Sequence, residues 1–341
     1  MIKEIHFHNF KVLRDTVLPL GPLTVLVGPN GSGKSTVLQG LMELGRRNLQ
    51  LARTACTAGQ VATPQNLIRI TVQWAGPHEG VETRNDWYPD QSSGPQFAPS
   101  PDGSLRPGRQ PNVQDCIKAA LARIRVFSLH APAICAPVQL RPEIEMGPDG
   151  SGLAVVLDRL RDDSPERFEQ INKELSRCLP EFDAILFETP SPGFRSFALR
   201  TRRGQHKISA ESLSQGTVLA LAILTLAYLP DPPPIVGLEE PDRGLHPRLL
   251  RDVQDAMYRL AYPKDHGEDR PPVQVIATTH SPYMLDLFKD HPEEVVIADK
   301  TEDNVKFDRL SDRPDIHEIL SGSSLGEVWY SGVLGGVPTD R

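Results

Sequence analysis

Cysteine is scarce and scattered. Cys56, Cys116, Cys135 and Cys178 stand far apart with no Cys-x-x-Cys pair, which argues against a disulfide framework or a zinc site and fits a reducing cytoplasm. Long apolar runs are missing too. The longest, Val218 to Leu229, is 12 residues, too short to cross a bilayer and suited to a buried helix. The N-terminal Met1-Ile2-Lys3-Glu4 lacks the apolar core of a signal peptide. No heptad run occurs, so no long coiled-coil arm is expected. Positive charge is not in excess: the formal net charge is −7, so any contact with nucleic acid must come from a local patch.

What remains is a globular composition, 39% hydrophobic and 24% charged over 341 residues, enough for one large α/β domain or two ordinary ones. Its centre is Gly28 to Thr36, Gly-Pro-Asn-Gly-Ser-Gly-Lys-Ser-Thr. Gly28, Gly33, Lys34 and Ser35 fill the Gly-x4-Gly-Lys-Ser/Thr pattern of a P-loop. The apolar run Leu23 to Val27 reads as a buried strand before it. Val37, Leu38, Leu41 and Leu44 recur at helical spacing after it. Glycines let such a loop wrap closely, and the helix N-terminus adds positive partial charge, so the segment captures phosphate. Asn30, Gly31, Ser32, Gly33 and Thr36 would line the cradle. Lys34 would reach the β- and γ-phosphates, and the Ser35 hydroxyl would ligate Mg²⁺.

Strands are expected over Ile2 to His8, Lys11 to Leu18 and Leu67 to Trp74, with turns at Asn9-Phe10 and Pro19 to Pro22. His6 and His8 alternate with apolar neighbours as an exposed strand face does; no third ligand stands near for a metal. The helix after the P-loop is expected to end near Arg53. From Gly76 to Pro111 proline, glycine and serine accumulate, reading as a long surface excursion, partly disordered and inserted within a domain. Asn112 can cap a helix from Val113 to Ala122, followed by a strand from Ile124 to Leu129. Ala131 to Pro148 reads as irregular. Ser164-Pro165-Glu166 is a helix start with Ser as cap and Pro at the first position. The dense basic cluster Arg200 to Lys207 reads as a hairpin turn at Arg202 to Gln205. Two uses stay open for it, a plain solvated hairpin and a phosphate-contacting patch.

Ile235 to Glu240 is an apolar strand ending in two carboxylates. Placed next to the P-loop strand, it would bring both acids to the phosphates. Glu239 would then hold Mg²⁺, and Glu240 would take a proton from the attacking water. Val273 to Thr278 is a second apolar strand, ending in Thr279-His280-Ser281-Pro282; His280 there can donate to a γ-phosphate oxygen. Leu213-Ser214-Gln215-Gly216 opens a helix and offers a second anion nest through Ser214 and Gly216.

In this order the motifs resemble an ABC-type ATPase head of the RecF/SMC-like group, including the ATPase half of the overcoming-lysogenization-defect nucleases. Asn9-Phe10-Lys11, Val27 to Thr36, Glu239-Glu240-Pro241, Gly244-Leu245-His246-Pro247 and Thr278 to Pro282 carry the likeness. It implies an α/β P-loop NTPase fold: N-terminal antiparallel strands and a mostly parallel core sheet flanked by helices. It also implies an ATPase domain over 1–310, with the insertion at 76–112 and a helical lid at 150–215, and a tail at 311–341 that can contact a partner. By the same likeness two chains sandwich two ATP molecules, each P-loop facing Ser214 and Gly216 of the other copy. Lys34, Glu240 and His280 would be catalytic, and Asp242 would cross the dimer seam.

Three departures stand out. Glu239 occupies the metal-side position usually held by Asp, which could slow hydrolysis. Gln215 replaces a glycine common in transporters. The Mg²⁺-contacting glutamine has no firm place; the strand ending near Leu129, Gln73 and Gln139 are candidates. The nucleases continue into a Toprim domain, whereas about 60 residues follow Pro282 here. A separate effector, such as a nuclease in DNA repair or anti-phage defence, is therefore expected. Two rivals are a non-hydrolysing nucleotide sensor and the ATP-binding subunit of a membrane transporter. Transporter subunits typically lack the Gly-Leu-His-Pro and Thr-His-Ser-Pro signatures.

Overall fold

The computed structural model describes residues 1–45, 67–87, 96–99, 111–141, 145–301 and 304–335. The expected end of the P-loop helix near Arg53 lies outside them. Contacts divide the chain into two units. The first holds Met1–Val126, Pro233–Glu239 and Pro271–Arg341; the second holds Phe127–Pro232 and Glu240–Arg270.

The first unit is built on two sheets. An antiparallel sheet pairs Leu13–Pro19, Ile2–Phe10, Ile68–Trp74, Val81–Trp87 and Gln96–Pro99 in that order. Ile68, Ile70, Val72 and Trp74 point inward while the residues between them are half-buried, the period of two that one solvated face produces. The first strand runs through Phe10, so the turn, Lys11-Val12, falls two residues later than expected. Asn9 and Lys11 both take φ +55° there.

Two of these strands lie within 76–112, read from the sequence as a long surface excursion, partly disordered. Val81–Trp87 and Gln96–Pro99 extend the sheet, with Thr83 opposite both Val72 and Phe97. Charged residues hide that strand in the sequence. Asp86 is 3% exposed, yet Arg69 Nε and Arg84 Nε approach its Oδ1 at 2.8 and 3.3 Å. Trp74 Nε1 donates to Thr83 Oγ1 at 3.1 Å.

The second sheet of this unit has the order Asn304–Arg309, Val295–Thr301, Leu23–Val27, Gln274–Thr279, Ile235–Glu239, Arg125–Phe127. Leu23–Val27 and Gln274–Thr279 are buried throughout, the near-continuous apolar run that parallel strands covered on both faces show. The acidic strand is not next to the P-loop strand: Gln274–Thr279 lies between them. Neighbouring strands are about 4.8 Å apart, so the acidic strand stands about 10 Å from the P-loop strand instead of about 5 Å. Local sequence shows that both strands are buried, but crossover topology decides which one is the neighbour.

Gln274 ties the two sheets together. Its side chain is fully buried; Oε1 accepts from Ile2 N at 2.8 Å, and Nε2 donates to Ile2 O at 2.7 Å and Gly21 O at 2.9 Å. Thr16 Oγ1 adds a bond to Val305 O at 3.1 Å. Below them Phe7, Phe10, Leu38, Leu41 and Ile70 share one apolar cluster with the P-loop helix Lys34–Gly45.

The second unit combines helices with a small antiparallel sheet. Ala131–Cys135, Leu153–Asp163, Pro165–Cys178, Gln215–Tyr228 and Leu250–Ala261 are helical. Val138–Gln139 pairs with Phe194–Thr201, which also pairs with Phe182–Glu188 and Lys207–Ser209. The stretch expected to be irregular thus holds one helical turn and one short strand. Ser164 stands at the N-cap but makes no side-chain cap bond, so Pro165 alone supplies the start. Buried Phe168, Ile171 and Leu175 form the expected helix face.

Replacing Gln274 with leucine would strand one N–H and two carbonyls in the interior, at roughly 1–3 kcal/mol for each unsatisfied group. Gln274→Leu is expected to lower unfolding stability by about 3 kcal/mol or more in a urea titration. A loss below about 1 kcal/mol would show that water replaces these bonds.

Candidate nucleotide site

Parallel register sets the geometry. Thr279 lies opposite Val27, and Glu239 lies opposite Thr278. The three strands therefore end within one residue of each other, and the P-loop, His280 and Glu239 leave the sheet along one edge. Ligands in open α/β sheets sit at this carboxyl edge. Backbone pairing fixes where these strands end along it.

The P-loop is shaped for close approach. Gly31 and Gly33 take φ +79° and +88°, where a side chain would be strained. A Cβ on Gly28 would meet Ala298 O at 2.2 Å, and one on Gly33 would meet Leu13 Cδ2 at 2.7 Å. Lys34 is 5% exposed; its Nζ donates to Gly28 O and Pro29 O, each at 2.8 Å, and to Ser32 Oγ at 3.3 Å. The ammonium is thus held against the loop's own oxygens. Asn30, Gly31 and Ser35 are exposed, Thr36 is half-buried and Ser32 and Gly33 are buried.

Glu239 and His280 are half-buried. Among the described residues no group of three or more His, Cys, Asp or Glu could hold a metal unaided. The donors at this edge are one hydroxyl, Ser35, and one carboxylate, Glu239. Such a sparse hard-oxygen set fits Mg²⁺, which keeps waters and phosphate oxygens in its shell, and does not fit zinc.

The second unit assembles another group. Ser214 caps the helix Gln215–Tyr228: its Oγ accepts from Thr217 N at 3.1 Å and lies 2.7 Å from Thr217 Oγ1. Gly216 packs against the Gly244-Leu245 turn, where an added Cβ would come within 3.2 Å of Gly244 O. Gly244 itself takes φ +73°, with Gln215 Cδ 3.1 Å from where its Cβ would stand. The two signatures, far apart in sequence, are therefore one structural feature. His246 is part of its scaffolding, because its Nδ1 accepts from Arg248 N at 3.2 Å and caps the following turn.

Glu240 opens the second segment of this unit and has a left-handed backbone, φ +45°. The conformation is costly for glutamate, by about 1–3 kcal/mol, and such residues cluster at functional sites. Arg243 N donates to Glu240 O at 2.9 Å and closes the turn. Nothing in the apolar strand pattern foretold that strain; Pro241 was the only clue, since a residue before proline avoids the right-handed helical region.

Residues 1–119 match the family described as "AAA ATPase domain", and residues 142–286 match "AAA domain, putative AbiEii toxin, Type IV TA system". An OLD nuclease of Thermus scotoductus is 25% identical over 370 residues, covering 92% of this chain and 67% of that protein. The SMC head domain from Thermotoga maritima superposes with a TM-score of 0.51 at 15% identity, covering 90% of this chain and 98% of that one. This chain resembles an ABC-type ATPase head of the RecF/SMC-like group.

Within this ATPase-like head, other sequence candidates fall elsewhere. Gln73 sits mid-strand, half-buried in the antiparallel sheet, and Gln139 is exposed in the second unit. No glutamine follows the edge strand Arg125–Phe127; Ser128, Leu129 and His130 do. The basic hairpin forms as expected, with Gly204 and Gln205 at positive φ. Arg200 Nε bonds Asp183 Oδ1 at 2.8 Å and Lys207 Nζ bonds Glu188 Oε1 at 2.7 Å. The Arg200 hydrogen bond holds the Asp183 carboxyl below its ordinary range. Arg202 and Arg203 remain exposed. In the tail, the helix Leu325–Tyr330 buries Trp329 and exposes Tyr330. No helix among the described residues is long and apolar enough to cross a membrane.

Gly28→Ala should break the cradle, since its Cβ would stand 2.2 Å from Ala298 O, which cannot yield without shifting a central strand. ATP affinity is expected to fall about tenfold or more by calorimetry, the equivalent of one lost charge-assisted hydrogen bond. Unchanged affinity would mean that phosphate is not bound by this loop.

Proposed function

We propose that this protein is an Mg²⁺-dependent ATP phosphohydrolase that closes into a homodimer around two ATP molecules. Opening and closing would gate a separate effector in DNA repair or anti-phage defence. The observation that carries the reading is that Val27 pairs with Thr279 and Glu239 with Thr278, so the three strands end within one residue of each other along one edge.

In this reading the backbone N–H groups of Asn30 to Gly33 and the Lys34 ammonium hold the β- and γ-phosphates. Ser35 and Glu239 hold Mg²⁺. The metal, when bound, neutralises charge on the β- and γ-oxygens. Glu240 accepts a proton from water as the water oxygen bonds to the γ-phosphorus. The bond to the bridging oxygen breaks, leaving ADP and phosphate. His280 donates a hydrogen bond to a γ-oxygen and favours the charge that develops there. Ser214 and Gly216 of a second copy complete each site, with Asp242 near the seam.

The effector is proposed to be a separate protein. The relative named a nuclease is matched over 67% of its length, and its nuclease activity is not assigned to this chain. The exposed Arg202 and Arg203 of the basic hairpin are the proposed nucleic-acid contact, and the setting proposed is the cytoplasm. A second reading, a nucleotide sensor that does not turn over, is favoured by Glu239, whose extra methylene changes the reach to the metal.

Phosphate release with and without DNA separates the two readings: turnover supports the ATPase, and binding without release supports the sensor. Glu240→Gln is expected to lower turnover by roughly 10²–10⁴-fold and to trap an ATP-bound dimer visible by sedimentation. Normal hydrolysis by that variant would overturn the role given to Glu240.

A further inference from the structure

His280 sits at a joint. Thr279, before it, ends a fully buried strand and is 1% exposed. Ser281, after it, donates its N–H to Thr279 Oγ1 at 3.0 Å and accepts from Met284 N at 3.2 Å, capping the helix Pro282–Asp286. That helix has five residues. A single turn has no stability of its own, so its direction, and that of the loop holding His280, depends on what clamps it.

The clamp is the C-terminal helix Leu325–Tyr330. Asp286 Oδ1 accepts from Gly326 N at 2.6 Å. Gly326 also lies flat on Pro282: a Cβ there would stand 2.4 Å from Pro282 O, 2.8 Å from its C and 2.9 Å from its Cα. All three are backbone atoms that cannot swing aside. Met284, Leu285, Phe288 and Leu325 fill the space around the joint and are fully buried. Ser324 caps the clamping helix by accepting from Glu327 N at 3.2 Å.

We infer that Gly326 and Asp286 are positioning residues for His280, and that the C-terminal helix sets the geometry of the histidine against the γ-phosphate. The inference rests on the role proposed for His280 above. It makes the 325–330 segment part of the hydrolytic machinery rather than an appendage. Anything that shifts this helix, such as a partner bound at exposed Tyr330, would then change turnover without touching the nucleotide.

A double-mutant cycle tests it. Gly326→Ala is expected to lower kcat for ATP by roughly 10- to 100-fold, the scale of a misplacement of about 1 Å at a reacting group. KM should change by less than about threefold, because the histidine acts mainly in the transition state. In a His280→Ala background the same change should have almost no further effect. Asp286→Ala should behave like Gly326→Ala, and Asp286→Asn, which keeps the acceptor oxygen, should restore most of kcat. This second pair covers the case in which Gly326→Ala does not fold.

Equal losses from Gly326→Ala or Asp286→Ala with and without His280 would overturn the inference, as would a rise in KM at constant kcat. If His280→Ala alone hydrolyses ATP at the parental rate, the role of His280 fails and the inference fails with it. Loss in His280→Ala with additive behaviour in the cycle would leave that role standing and remove only the clamp.

Discussion

Everything in the candidate site hangs on the hydrogen-bond register of three parallel strands. Leu23–Val27, Gln274–Thr279 and Ile235–Glu239 are paired so that their last residues stand within one residue of each other. Their side chains are apolar and buried almost to the end. A slip of one residue would move every side chain to the opposite face and into different neighbours, so core packing locks the register. Apart from Thr24 and Gln274, the polar residues of these strands stand where the strands leave the sheet along one edge. Anion cradle, acid and histidine are thus placed by packing in the core.

Strain is concentrated where that edge begins. Gly31 and Gly33 hold left-handed backbone at no steric cost. Glu240 holds one as well, although a glycine would suit the turn better. A structure that keeps a carboxylate in that conformation gives up about 1–3 kcal/mol of stability for it, which is sensible if the carboxylate has chemistry to perform. The surrounding order is strong enough to impose it, with Pro241 buried and Arg243 N closing the turn.

How far the sequence could be read follows from the range of the interactions. The P-loop was legible because strand, loop and helix are contiguous, and each has its own residue pattern. The signatures at Ser214, Glu240 and His280 were legible as motifs, and the helix Pro165–Cys178 was legible from its apolar spacing. Strand order was not: whether Ile235–Glu239 or Gln274–Thr279 adjoins Leu23–Val27 depends on the crossovers between them. The strand Val81–Trp87 was hidden by Arg84 and Asp86, which the fold pairs with each other and with Arg69. The contact of Gly326 with Pro282 could not be read at all, because a glycine gives no sign of which backbone it will meet. Gln274 was visible as one polar residue in an apolar strand, yet only the fold shows that it joins the N-terminal strand to the core.

The account stands or falls on whether the carboxyl edge of the central sheet holds a metal-bound triphosphate. Mn²⁺ can replace Mg²⁺ at such sites and be followed by electron–nuclear double resonance. The prediction is tight Mn²⁺ binding only when ATP is present, with phosphorus coupling from the nucleotide that is lost in Ser35→Ala. Mn²⁺ that binds equally well without ATP, or shows no phosphorus coupling, would contradict it.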